Sequence, residues 1–120
     1  MNRVVVTGLS SITALGNTWD SVFARMRAGE TATRHMPEWE GFPELRPKMA
    51  APISDFEKPA HFSRKVTRSM GRVALLAVTS AENAVEDAGL KNDPLLKEGG
   101  FGVAYGSVIA RLSCKTRPVD

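Results

Sequence analysis

Three residues of the 120-residue sequence have side chains suited to nucleophilic or proton-transfer chemistry. Cys114 is the single cysteine, and His35 and His61 are the two histidines. A cysteine nucleophile in acyl transfer is typically activated by a histidine base, and the positive charge of Lys115 would favour the thiolate of Cys114. Neither histidine lies near Cys114 in the sequence, and neither has a metal-ligand cluster around it. We therefore interpret Cys114 as an incidental thiol and both histidines as surface residues, with no metal site.

A group of basic residues offers a second kind of chemistry, the binding of an acidic partner. Arg64, Lys65, Arg68 and Arg72 follow one another at the start of a predicted helix. Positive charge concentrated at one end of a helix would steer an acidic protein electrostatically. The alternative is an ordinary solvated helix face, and the sequence alone leaves both interpretations open.

The first elements that the sequence predicts are a strand, a turn and a helix. The β-branched segment at residues 3–7 ends at Gly8, which is typical of a buried strand followed by a turn. A helix then begins at Asn17 or Thr18, either of which can act as its N-cap, and stops at Gly29. Its apolar residues have helical spacing and are Trp19, Val22, Phe23 and Met26.

The remaining elements are predicted from the same kinds of pattern. Residues 30–46 contain prolines and glycines and predict a surface loop, followed by an extended stretch at residues 49–53. Apolar residues at steps of three and four predict one long helix over residues 64–88, with Gly89 as its stop. The glycine-spaced segment at residues 101–107 predicts a strand. The resulting order, βαβαβ, is typical of an α/β layered fold with helical crossovers.

The composition narrows the class of protein. With 42% hydrophobic and 24% charged residues the chain has ordinary globular composition. The net charge of +3 is a mild excess without a basic tail or a recognisable nucleic-acid-binding module, so no nucleic acid is predicted as a partner. No apolar run approaches the roughly 18 residues of a membrane span. A single cysteine excludes an internal disulfide framework, and we expect a cytoplasmic protein.

Three blocks of the sequence carry a family resemblance. They are RVVVTGLSSITALGNTWDSVFARMRAG, FSRKVTRSMGRVALLAVTSAENAVEDAGL and FGVAYGS. In order and spacing they resemble the first strand and helix, the next long helix and the third strand of the β-ketoacyl-acyl-carrier-protein synthases, which extend acyl chains. The resemblance covers residues 3–107, so we predict a ketosynthase region at residues 1–107 and a divergent tail of unknown role at residues 108–120. Residues 36–39 are also similar to synthases of the aryl-polyene type.

The resemblance implies a partial thiolase-like α/β fold, truncated before the helix that bears the nucleophile. In this family a cysteine accepts the acyl chain, and two later histidines serve the decarboxylative Claisen condensation with malonyl carrier protein. These residues lie beyond the chain end, so we expect no catalytic residue, no cofactor and no condensing activity in the 120 residues alone. The absent layers would cover apolar surface such as Leu75 and Leu76, and we therefore expect the isolated chain to associate.

The resemblance also implies partners and binding residues. An acyl carrier protein and an acyl thioester are the expected partners, and the full-length enzyme is expected to be a homodimer. Lys65 and Arg68 match basic positions that dock the carrier protein, with Arg64 beside them, whereas Ser69 stands at the usual third basic position. Ile109 aligns with a residue of the acyl pocket, although an ordinary core isoleucine is the alternative interpretation.

Two other functions remain open on the sequence. Residues 4–8 also resemble the opening of a nucleotide-binding βαβ domain of a short-chain dehydrogenase. Ser11 and Ile12 argue against that function, because they occupy the region where closely spaced glycines would approach a pyrophosphate. The second possibility is a non-catalytic fragment that serves as a binding or dimerising module.

Overall fold

The computed structural model describes residues 3–107 and divides the chain into two units. The helix–hairpin unit is Ser10–Glu57, and the α2–α3 unit combines residues up to Leu9 with those from Lys58 onward. The elements in chain order are α1 (Trp19–Arg27), β1 (Arg34–His35), a 3₁₀ turn (Pro37–Trp39), β2 (Met49–Ala50), α2 (Arg64–Thr67), α3 (Arg72–Asp87) and a second 3₁₀ turn (Pro94–Leu96).

Helix α1 begins and ends at the residues that its sequence predicts. Thr18 is the N-cap, and its hydroxyl oxygen accepts a hydrogen bond from the Ser21 amide. At the other end Gly29 has a φ of 74°, and its amide donates to the Met26 carbonyl. A left-handed residue after the last turn is favourable only for glycine or asparagine, so Gly29 confirms the predicted stop. Val22 is the buried residue of this helix.

The segment predicted as a surface loop contains regular structure. Strand β1 pairs antiparallel with β2, so that Arg34 lies opposite Ala50 and His35 opposite Met49. Strand β2 confirms an extended stretch from residue 49, but β1 and the 3₁₀ turn fall inside the predicted loop at residues 30–46. A two-residue strand is too short to produce a hydrophobic period, which is why the sequence pattern does not indicate it.

The long helix predicted over residues 64–88 is two helices. Between α2 and α3, Gly71 adopts an extended conformation with a φ of −76° and a ψ of 170°, which interrupts the helix. Glycine costs about 1 kcal/mol more than alanine in a helix interior, so it is a favourable place for a break. The end of α3 is as predicted, because Gly89 is left-handed with a φ of 72°. The Gly89 and Leu90 amides donate to the carbonyls of Glu86 and Val85 in a Schellman motif.

The two segments predicted as strands differ from that expectation. Residues 3–7 and 101–107 are not in a sheet within the described part of the chain, so the βαβαβ order is not formed there. Val4, Val6 and Val103 are 95%, 76% and 81% exposed. β-Branched residues favour a strand chiefly through packing against neighbours, and a strand also needs a partner backbone. The helices and the short sheet are nevertheless those of a partial α/β domain.

The N-terminal segment of the α2–α3 unit reaches the C-terminal end of α3. The Leu9 amide donates a 2.9 Å hydrogen bond to Oδ2 of Asp87, the last residue of that helix. Gly8 lies so close to α3 that a β-carbon at this position would fall 2.6 Å from the Ala88 amide nitrogen. The absence of a side chain at Gly8 therefore allows the two backbones to approach. No helix among residues 3–107 has the length and hydropathy needed to cross a membrane.

Candidate functional site

Of the basic residues selected from the sequence, Arg64 and Lys65 lie on α2 and Arg68 is its C-cap, whereas Arg72 is the first residue of α3. We call residues 64–68 the basic turn, with Arg64, Lys65 and Arg68 as its cations. Ser63 precedes it in an extended conformation, and its carbonyl accepts hydrogen bonds from the amides of Val66 and Thr67 at 3.1 Å. A single helical turn thus presents three positive charges within five residues.

These cations are available to a partner. All three are exposed. Ion pairs elsewhere engage other basic residues, but among residues 3–107 no carboxylate is close enough to pair with Arg64, Lys65 or Arg68. Helix α2 also carries no acidic residue in its first turn. Clustered like charges that form no ion pairs produce a positive potential that attracts an acidic surface.

The chain before the basic turn is fixed by several contacts. The Lys58 ammonium group donates a hydrogen bond to the Phe62 carbonyl. The Phe62 amide donates a 3.0 Å hydrogen bond to the Pro59 carbonyl. The His61 ring packs edge-on against Phe62 with 4.6 Å between ring centroids. His61 Nε2 also lies 2.8 and 2.9 Å from the two carboxylate oxygens of Glu82 on α3. The entry to the basic turn is therefore tied to the middle of α3.

Both histidines are surface residues, as predicted, but each pairs with a glutamate that the sequence does not indicate. His61 and His35 side chains are 60% and 52% exposed. His35 Nε2 lies 2.8 Å from Glu40. No cluster of three or more metal-binding side chains occurs among the described residues. Cys114 and the proposed acyl-pocket residue Ile109 lie outside the described residues.

In the helix–hairpin unit, the Glu40 carboxylate contacts both His35, the last residue of β1, and Lys48, the residue before β2. One carboxylate oxygen is 2.9 Å from the Lys48 ammonium and the other is 2.8 Å from His35 Nε2. The hydrogen bond and charge of Lys48, followed by those of His35, lower the pKa of Glu40 below its ordinary value of 4.5. The ionised form of Glu40 is therefore favoured by folding of the hairpin.

We expect the ion pair of Glu40 and Lys48 to make the stability of the hairpin sensitive to acid. Because the folded-state pKa of Glu40 is lower than its unfolded value, its contribution to stability is complete above about pH 4.5 and is lost as the pH falls through the lower folded-state value. NMR titration of the Glu40 side-chain carboxyl should give a midpoint that rises in Lys48→Met. A Glu40 midpoint that does not move in Lys48→Met would contradict the assignment.

A polar cavity of about 310 Å³ lies in the helix–hairpin unit. Thr31, Thr33, Ser54, Asp55 and two arginines contribute to its lining. One of these arginines, Arg25, is already bound to the Leu15 carbonyl and to Glu30. A lining of hydroxyl and charged groups is unlike the apolar walls that hold an alkyl chain, so this cavity is not an acyl pocket.

Comparison with known proteins identifies the family. The model of the β-ketoacyl synthase N-terminal domain matches residues 1–117. The chain belongs to the β-ketoacyl synthase family, and the part that it carries is the N-terminal domain. The match extends past residue 107, and the boundary predicted there stays a prediction. A nucleotide-binding domain of a short-chain dehydrogenase receives no support from this assignment.

Individual relatives agree with the family model. The chain is 32% identical over 117 residues to 3-oxoacyl-[acyl-carrier-protein] synthase 1 of Haemophilus influenzae, covering 92% of this chain and 28% of the relative. It is 36% identical over 109 residues to nodulation protein E of Rhizobium leguminosarum bv. trifolii, covering 87% and 25%. The crystal structure of a β-ketoacyl synthase from Burkholderia phymatum is 48% identical with a TM-score of 0.71, covering 78% of this chain and 23% of that chain.

These comparisons define what the chain represents. It spans about a quarter of the length of the curated relatives that it matches. The likeness to a solved β-ketoacyl synthase confirms the predicted fold class, a partial thiolase-like α/β domain. The basic turn lies within the residues that the family model matches.

Proposed function

We propose that this chain supplies the N-terminal domain of an enzyme that condenses an enzyme-bound acyl chain with malonyl carrier protein. The reaction would be a decarboxylative Claisen condensation, in which loss of carbon dioxide provides the carbanion that attacks the acyl thioester. The match to the N-terminal domain model over residues 1–117 is the observation that carries this proposal. A cytoplasmic homodimer in fatty-acid or polyketide-like biosynthesis, including the aryl-polyene branch, is the setting that we propose.

The role that we propose for the described residues is recognition of the acyl carrier protein. Such a reaction brings its substrates on a carrier protein, and the phosphate of the carrier's phosphopantetheine is anionic. Arg64, Lys65 and Arg68 are exposed and lack an acidic partner among residues 3–107, which suits them to an acidic carrier surface. Bond making would then fall to residues outside the described part of the chain, and Ile109 is proposed to line the acyl pocket.

Charge reversal in the complete natural protein tests this role. Lys65→Glu with Arg68→Glu should slow association with a holo acyl carrier protein by about tenfold at low salt, because steering depends on the sign of the exposed charge. The difference should shrink as salt is added. Turnover at saturating carrier protein should change little, since the substituted residues act before the chemical step. Stopped-flow association rates and steady-state turnover measure the two effects.

A matched control separates a specific surface from net charge. Arg27 and Lys97 are also exposed, and neither is paired with a carboxylate within the described part of the chain. Arg27→Glu with Lys97→Glu produces the same change in net charge away from the basic turn. Equal slowing in both double variants, or no slowing in either, would show that the basic turn is ordinary solvated surface.

A further inference from the structure

The basic turn has little stability of its own. Helix α2 contains four residues, and isolated helices much shorter than about 12 residues are marginal in water because their nucleus is costly. Its orientation must therefore come from the contacts at its two ends. A docking surface made of three cations depends on that orientation, since the charges act on a partner as a group.

The two ends of the segment are attached to α3 at separate places. On the C-terminal side Gly71 leads directly into the first residue of α3. On the N-terminal side His61 is bound to Glu82, which lies roughly 15 Å further along that helix at 1.5 Å per residue. Residues 61–71 thus run back along the first two thirds of α3, with the basic turn between the two attachments.

The attachment at His61 combines several contacts. Its Nε2 atom is within hydrogen-bond distance of both Glu82 oxygens, and its ring packs on Phe62, which is half-buried. The Phe62 carbonyl in turn accepts from Lys58. Ser63, whose carbonyl starts the hydrogen bonds of α2, comes only two residues after His61. A change in the backbone at His61 would therefore move Ser63 and the start of the basic turn.

We propose that His61 and Glu82 are positioning residues for carrier-protein docking, because their hydrogen bond fixes the basic turn along α3. The inference rests on the proposed role of Arg64, Lys65 and Arg68. Neither member of the pair contacts the carrier protein in this scheme. Their effect is to present the three cations in one arrangement.

Because Glu82 is negatively charged, the direction of the change in association rate in a Glu82 variant tests the inference. Glu82→Met removes a negative charge close to a basic surface, so electrostatics alone would speed association with an acidic carrier protein. Loss of positioning would slow it. We expect Glu82→Met and His61→Phe, which keeps an aromatic ring against Phe62, each to slow low-salt association of the complete protein with a holo acyl carrier protein by about threefold to tenfold. Because the two residues act through one contact, the double variant should be no slower than the single variants.

A second measurement reports on the turn itself. The amides of Val66 and Thr67 are bonded to the Ser63 carbonyl and should exchange hydrogen faster in both variants. The control is His35→Phe, which breaks the other exposed histidine–glutamate pair, at 2.8 Å, in the helix–hairpin unit. It should alter neither the exchange of these amides nor the association rate.

The outcomes separate this inference from the docking proposal. Suppose that Lys65→Glu with Arg68→Glu slows docking, as the docking proposal expects. Association that is faster or unchanged in Glu82→Met, or amide exchange that is unchanged in Glu82→Met and His61→Phe, would then overturn the positioning role alone. If charge reversal leaves association unchanged, the docking proposal fails and the role of His61 and Glu82 in docking fails with it. Accelerated exchange would then show only that the pair holds the turn.

Discussion

Gly8→Ala should destabilise the α2–α3 unit by about 3 kcal/mol or more, because the added methyl group has no space. Its β-carbon would meet the Ala84 carbonyl oxygen, would lie 2.6 Å from the Ala88 amide nitrogen and would lie 2.8 Å from the Ala88 β-carbon. Two of these atoms belong to the backbone of α3 and its C-cap, so relief requires movement of the helix or of the N-terminal segment. Chemical denaturation of the wild-type and variant proteins measures the loss.

Two further variants define the cause of that loss. Gly41→Ala is the control, since a β-carbon at Gly41 meets nothing within 4 Å, and it should leave stability nearly unchanged. Asp87→Asn weakens only the hydrogen bond that follows Gly8, from the Leu9 amide, and should cost about 1 kcal/mol. A Gly8→Ala variant as stable as Gly41→Ala would mean that the close approach to α3 is not needed for folding.

The helix ends were predictable because their chemistry is local. Thr18 caps α1 with a hydroxyl that reaches an amide three residues away, and Gly29 and Gly89 provide left-handed residues after the last turns. These interactions join residues that are close in sequence, so a short stretch of sequence contains all the information that they require.

The break at Gly71 was not predictable from the apolar pattern. Val66, Met70 and Val73 continue at steps of four and three across the break, as they would in one helix. Such a pattern reports which side of the chain is apolar, but it does not report whether the backbone is continuous. A glycine inside a helical pattern is the signal that could have indicated the interruption.

The pair of His61 and Glu82 shows where sequence reasoning stops at the candidate site. The cations of the basic turn could be selected because charge and exposure follow from residue type and helical spacing. His61 and Glu82 are 21 positions apart and meet only because residues 61–71 fold back along α3. A contact that depends on tertiary packing has no periodic signal in a single sequence.

The two segments predicted as strands depart from the prediction for a different reason. Their residue types favour a strand, but strand formation also needs pairing with another backbone, and residues 3–7 and 101–107 are in no ladder within the described part of the chain. Leu75 and Leu76, which we expected to be uncovered, are half-buried. The most exposed valines of the described residues therefore lie on the predicted strands.

Produced alone, the 120 residues should associate in solution through this surface. Val4, Val6, Val103 and Tyr105 are each at least 60% exposed, with Val4 at 95%. A contiguous apolar patch larger than a few hundred Å² on a soluble chain usually marks a surface that another surface covers. Unpaired segments with strand-forming side chains can also add to an equivalent segment of a second copy through backbone hydrogen bonds. Both effects favour oligomers over the monomer.

Sedimentation velocity at several concentrations tests this expectation. The 120 residues should sediment as concentration-dependent oligomers, and Val4→Lys with Val6→Lys should shift them toward the monomer, because lysine on a strand edge opposes pairing. Arg27→Lys is a suitable control, since it keeps the charge of an exposed residue in the other unit and should leave the distribution unchanged. A compact, cooperatively melting monomer at all concentrations would show instead that residues 1–120 form a self-sufficient domain whose exposed valines need no partner.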